Sequence, residues 1–79
     1  MLKRIEGRQD ERNEFVEFQK EGSNVSFIAQ KSMHNHNVLW YVYRNVMGKG
    51  NPVSTLNFSY HKELAVEKAL KAAIAELES

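Results

Sequence analysis

One stretch constrains the fold more than any other: Val38-Leu39-Trp40-Tyr41-Val42-Tyr43, six consecutive apolar or aromatic residues that include the only Trp and two of the three Tyr. β-branched and aromatic side chains suit the pleated, half-buried surface of a sheet. Residues 38–46 are therefore expected to form the central strand. Successive side chains of a strand point to opposite faces. Trp40 and Val42 share one face; Leu39, Tyr41 and Tyr43 share the other. A strand rich on both faces is covered on two sides, or one face is a working surface, since Tyr tolerates a half-wet position.

The flanking segments supply partners for that strand. Phe15-Val16-Glu17-Phe18-Gln19 reads as a short strand, and Lys20-Glu21-Gly22-Ser23-Asn24 as a turn, because Gly and Asn accept positive φ. Residues 25–31 read as the next strand, with Val25, Phe27 and Ala29 on one face and Ser26, Ile28 and Gln30 on the other. Ser32 to Asn37 is a polar link, with Asn35 and Asn37 suited to left-handed backbone. Met47-Gly48-Lys49-Gly50-Asn51-Pro52 reverses the chain, and residues 53–58 form a further strand.

From Tyr60 to Glu78 the period turns helical. Ser59 is the expected N-cap, and Val66, Leu70, Ala73, Ile74 and Leu77 fall on one stripe. Residues 1–14 are dense in charge, only Leu2 and Ile5 can pack, and Gly7 interrupts any helix. They are expected to be a flexible charged arm, with at most a short strand at residues 2–5. The expected fold is α+β: an antiparallel sheet of three to four strands with one C-terminal helix packed on one face, in the order β-β-β-β-α. Residues 15–79 then form the single domain.

Seventy-nine residues make one small domain, and without Cys there is neither a disulfide nor a thiolate metal site. No run approaches the roughly 18 apolar residues of a membrane span, and the start lacks the apolar core of a signal peptide. A cytoplasmic protein without membrane partner is expected. The net charge is +1, but residues 22–61 carry Lys31, Arg44 and Lys49 and no acid, whereas both flanks mix signs. Such an asymmetry favours an anionic partner. The plainer reading is that strands disfavour Asp and Glu.

Catalytic chemistry finds little foothold. The Ser residues carry no nucleophile-elbow pattern, and the carboxylates lie only at the two ends of the chain. His34 and His36, with His61 as a third, lack the local carboxylate or Cys that a zinc site usually recruits. A polar loop is the simpler account, and neither an enzyme nor a cofactor or metal is expected. Gly48-Lys49-Gly50 lacks the helix that follows a phosphate loop, so it reads as a hairpin whose Lys49 could touch a phosphate.

Val25-Ser26-Phe27, then Trp40-Tyr41-Val42-Tyr43-Arg44, Gly48-Lys49, and Phe58 followed by Glu63-Leu64-Ala65 set a distinctive punctuation. Over residues 25–76 it resembles the three-stranded sheet plus C-terminal helix of the plant ethylene-response-factor (APETALA-type) DNA-binding domain. The arm-binding domains of tyrosine recombinases and accessory domains of phage homing endonucleases have the same layout. The resemblance implies that the sheet face opposite the helix lies in the DNA major groove. By position, Ser26, Ile28, Gln30, Tyr41, Tyr43 and Asn57 would face DNA and Trp40 would be core. The family's base-reading arginines are absent from most of these positions.

The resulting expectation is a nucleic-acid-binding module, for DNA rather than RNA, of a size that suits a phage or mobile element. Tyr41 and Tyr43 would stack, Lys31, Arg44 and Lys49 would pair with phosphates, and Gln30 and Asn57 would touch base edges. The alternative is a protein-interaction module, a small inhibitor or adaptor or a homodimer, using the same face or a strand edge. Tyr and Arg are equally enriched in protein interfaces.

Overall fold

A computed structural model describes residues 2–10, 13–46 and 54–78. The strands are β1 (Leu2–Asp10), β2 (Asn13–Lys20), β3 (Val25–His34), β4 (Asn37–Val46) and β5 (Ser54–Ser59), followed by helix α1 (Lys62–Leu77). They form one antiparallel sheet in the order β1-β2-β3-β4-β5, every strand pairing with its neighbour in the chain. The fold is α+β, with one C-terminal helix on one face of the sheet, as expected. No helix among the described residues is long and apolar enough to cross a membrane.

The sheet has five strands rather than three or four. The additional one is β1, where a charged arm was expected. Its apolar residues Leu2 and Ile5 fall on opposite faces, so no period-two signal marks it. What holds it is cross-strand chemistry: Arg8 registers with Glu14, and the Arg4 guanidinium lies 5.9 Å from the centre of the Phe18 ring. Because β1 and β2 are added on one side, the geometric centre of the sheet is β3. Strand β4, expected to be central, lies next to the edge strand β5.

The turns follow local backbone preference. Gly22 takes φ +86°, and the Ser23 amide donates to the Lys20 carbonyl at 3.0 Å. Between β3 and β4 the positive-φ residues are Asn35 (50°) and His36 (68°), inside the closing pair His34↔Asn37. Two consecutive positive φ values match the hand of the strand twist. This tight hairpin lets both strands run further than the polar link suggested, and it moves the left-handed position from Asn37 to His36. The expected turn at Met47–Pro52 lies outside the described residues.

Trp40 and Val42 lie on the helix-covered face, only 4% and 1% exposed. They pack with Val16, Phe18, Phe27, Ala29, Ala65, Ala69, Ala73 and Leu77. Of the expected stripe Ala73 and Leu77 are buried, and the helix completes its buried face with Ala65 and Ala69 instead of the larger residues. Val66 and Leu70 are only partly buried, and Ile74 is 47% exposed. A row of methyl side chains lets the backbone come close to a sheet already filled by Trp and Phe. Ser59 ends β5, and the N-cap is His61, which makes no side-chain capping bond. The first turn is fixed instead from the side, where Lys62 Nζ bonds Glu14 Oε2 at 2.5 Å and lies 5.6 Å from the Trp40 ring centre.

Two outcomes follow from these contacts. A Cβ on Gly7 would stand 2.3 Å from Phe15 Cε1, since the ring lies flat over its cross-strand partner. Gly7→Ala is therefore expected to displace the ring and cost about 1 kcal/mol or more in urea denaturation. In a Phe15→Ala background that cost should vanish. The second concerns Glu14, whose carboxyl is held below its ordinary value chiefly by the Lys62 hydrogen bond. A lowered carboxylate pKa stabilises the fold above the unfolded value, near 4.5, and that gain is lost as pH falls through the folded value. Glu14→Gln should cost about 0.5–1 kcal/mol at pH 7, and that cost should shrink as pH falls below about 4.5 in parallel thermal melts.

Candidate functional site

Residues directly opposite each other in an antiparallel pair share a face, so the register maps the sheet surface that α1 leaves open. One row runs Lys3, Gln19, Ser26, Asn45. The next runs Ile5, Glu17, Ile28, Tyr43. A third runs Gly7, Phe15, Gln30, Tyr41, and Ser32 and Leu39 lie beyond it. Ser26, Ile28, Gln30, Tyr41 and Tyr43 are thus the side chains opposite the helix, and Trp40 is core, as the alternation along the two strands implied.

The surface is organised around a short polar lock. The Tyr43 hydroxyl donates to Gln30 Oε1 at 2.8 Å. The Tyr41 and Tyr43 rings stack at 5.7 Å between centroids and 28° between planes. Burial raises the Tyr43 phenol above its ordinary value of 10, and neighbouring Tyr41 and Glu17 add to the rise. Burial keeps the hydroxyl protonated, and its hydrogen bond ties it to Gln30 on the neighbouring strand. Ile28 between the rows is 8% exposed, and Ser26 Oγ is fully buried without a hydrogen-bond partner.

Of the remaining expected site residues, those within the described part of the chain take register positions on the other face. Arg44 registers with Phe27 and Lys31 with Trp40, both positions on the helix-covered face. Arg44 Nε donates to both carboxylate oxygens of Glu76 on α1, at 3.0 and 2.9 Å. That pair keeps the Arg44 guanidinium protonated even more firmly than usual. The Lys31 charge helps to hold the Glu14 carboxyl ionised. Asn57 takes the register position opposite Val42 rather than Tyr41 or Tyr43. Lys49 lies outside the described residues.

Lys3, Ile5, Phe15, Glu17, Gln19 and Asn45 of the open face were not singled out as site residues from the sequence. The acid-free character of residues 22–61 holds along the chain but not across the sheet. Strand β2 brings Glu17 into the row of Ile28 and Tyr43. Among the described side chains the open face carries one cation, Lys3, and one anion, Glu17. The signal that could have placed Glu17 was the parity of β2, since Val16 and Phe18 alternate with Phe15, Glu17 and Gln19. No group of three or more potential metal ligands occurs among the described residues.

The chain matches none of the protein-family models, curated proteins or solved structures with which it was compared.

The polar lock gives a direct measurement. In an alkaline titration followed by tyrosinate absorbance, one Tyr should ionise above pH 10. Tyr43→Phe should remove that late component. Because the folded value is raised, the stabilisation linked to it is complete below pH 10 and is lost as pH rises through the folded value. Tyr43→Phe is expected to cost about 1 kcal/mol at pH 7 in urea denaturation, the ordinary worth of one part-buried hydrogen bond.

Proposed function

We propose that the protein is a protein-interaction module that binds its partner through the open face of the sheet. The observation that carries this reading is the sorting of charge between the two faces. Lys31 and Arg44, the cations expected to meet phosphates, occupy register positions of the helix-covered face, and Arg44 is tied to Glu76. The Tyr41–Tyr43 stack shares its surface with Ile28, Phe15, Ile5 and Leu39 and with the anion Glu17. Rings, aliphatic side chains and little charge are the composition of an interface core rather than of a phosphate-binding surface. A sheet needs a layer on each apolar face, and α1 supplies one. The cytoplasm is the proposed compartment.

A second reading keeps one observation in its favour. The stacked Tyr pair beside Gln30 is also a platform on which exposed bases of single-stranded nucleic acid could stack. It agrees with the resemblance to the sheet-reading DNA-binding domains.

Titration with random-sequence single- and double-stranded oligonucleotides at low salt separates the two. No binding is the expected result. Binding that weakens steeply as salt rises, and that Tyr41→Ala/Tyr43→Ala removes while the circular dichroism spectrum is kept, would replace the first reading with the second.

A further inference from the structure

We infer that the partner seated on the open face is a second copy of this chain, so that two sheets stack face to face about a twofold axis. The inference rests on the protein-interaction reading and names its partner.

Charge is the first argument. A twofold interface sets the same patch against itself, so every unbalanced charge on it meets its own kind. The described side chains of the open face carry Lys3 and Glu17, one of each sign, in adjacent rows on neighbouring strands. The described part of the face is electrically balanced and does not repel a copy of itself. A strongly charged partner of either sign would gain little from it.

Size is the second argument. At a strand spacing of about 4.8 Å, five strands span about 24 Å, and the paired rows run about 25 Å along the strands, a flat footprint of about 600 Å² before side-chain relief is counted. Stable interfaces bury about 800 Å² per partner. The whole face is thus about three-quarters of a standard contact and above the roughly 500 Å² per partner that a specific interface needs, so a dimer would use all of it, and a short peptide would leave most of it wet. Stacked sheets of this kind meet across about 10 Å with strands inclined by about 30°.

Chemistry is the third argument. The Tyr43 hydroxyl and Gln30 Oε1 of the face satisfy each other within the chain. Closing the face against another apolar sheet costs that pair no hydrogen bond. The stacked Tyr41 and Tyr43 rings, only partly buried within the chain, are then available to the same rings of the copy.

The test is the mass in solution by light scattering and sedimentation, across micromolar to several-hundred-micromolar concentrations, beside the 9.2 kDa of the single chain. The expected result is a concentration-dependent mass of twice that value. Lys3→Glu leaves the face with two anions and Glu17→Lys leaves it with two cations. Each variant alone should dimerise at least tenfold more weakly at low salt, and an equimolar mixture of the two should recover the dimer. Lys3 is solvent-exposed in its own chain, so the Lys3→Glu arm reads association without threatening the fold. Tyr41→Glu should give a monomer with its helical circular dichroism retained.

A wild-type chain that stays monomeric throughout, or a dimer indifferent to both Tyr41→Glu and the charge variants, overturns the inference. If that monomer also binds no oligonucleotide, the face still serves a different protein. If it binds oligonucleotides through Tyr41, the protein-interaction reading fails as well.

Discussion

The structure depends on a close approach between a row of methyl groups and a sheet of rings. Ala65, Ala69 and Ala73 are fully buried against a surface built from Val16, Phe18, Phe27, Trp40 and Val42. Larger residues at those helical positions would push α1 away from the sheet and lose dispersion contact along its length. The bulk needed to fill the core is supplied by the strands, and the helix supplies proximity. Polar contacts anchor the helix at both ends, Lys62 on Glu14 near its start and Arg44 on Glu76 near its finish. Since α1 is the only helix among the described residues and lies on one side, the opposite side of the same strands is left to carry whatever the protein does.

Much of the fold was legible because most of it follows local pattern. The alternation in Val38–Tyr43 placed Trp40 and Val42 under the helix and Tyr41 and Tyr43 away from it. The alternation from Val25 to Lys31 did the same for β3, and the helical period located α1 to within two residues. The parts that were not legible depend on partners distant in sequence. Strand β1 has no amphipathic period, and Gly7, which reads as a breaker, is a strand residue because the Phe15 ring lies where its side chain would be. The buried stripe of α1 was shifted towards the alanines because helical period alone favours the larger residues. Packing against aromatic side chains favours the smaller ones.

The site shows the same division. Tyr41, Tyr43 and Gln30 came together because parity and hairpin register bring them together. Arg44 and Lys31 were grouped with them by nearness along the chain, but one step in a strand changes the face. Arg44 beside Tyr43, and Lys31 beside Gln30, therefore serve the other side of the sheet. The net charge of a segment predicts the field around a surface only when the whole segment lines that surface. Here β3 and β4 contribute to both faces.

The ladder joins each strand only to its neighbours in the chain, from Leu2 to Ser59. No crossover must be threaded and no distant strand captured, so each pairing closes a short loop. The sheet can therefore assemble by zipping outward from the β3–β4 hairpin, whose Asn35-His36 turn already has the hand of the strand twist. Its outermost strands can come apart without breaking the centre. Strand β1 has the sheet on one side only and touches the core mainly through Leu2. A chain that frays there becomes a four-stranded sheet with its helix still seated, and Phe15, having lost the glycine it covers, becomes part of a new edge. The N-terminal strand is in this sense a removable rim, and the width of the open face is set by whether it is in place.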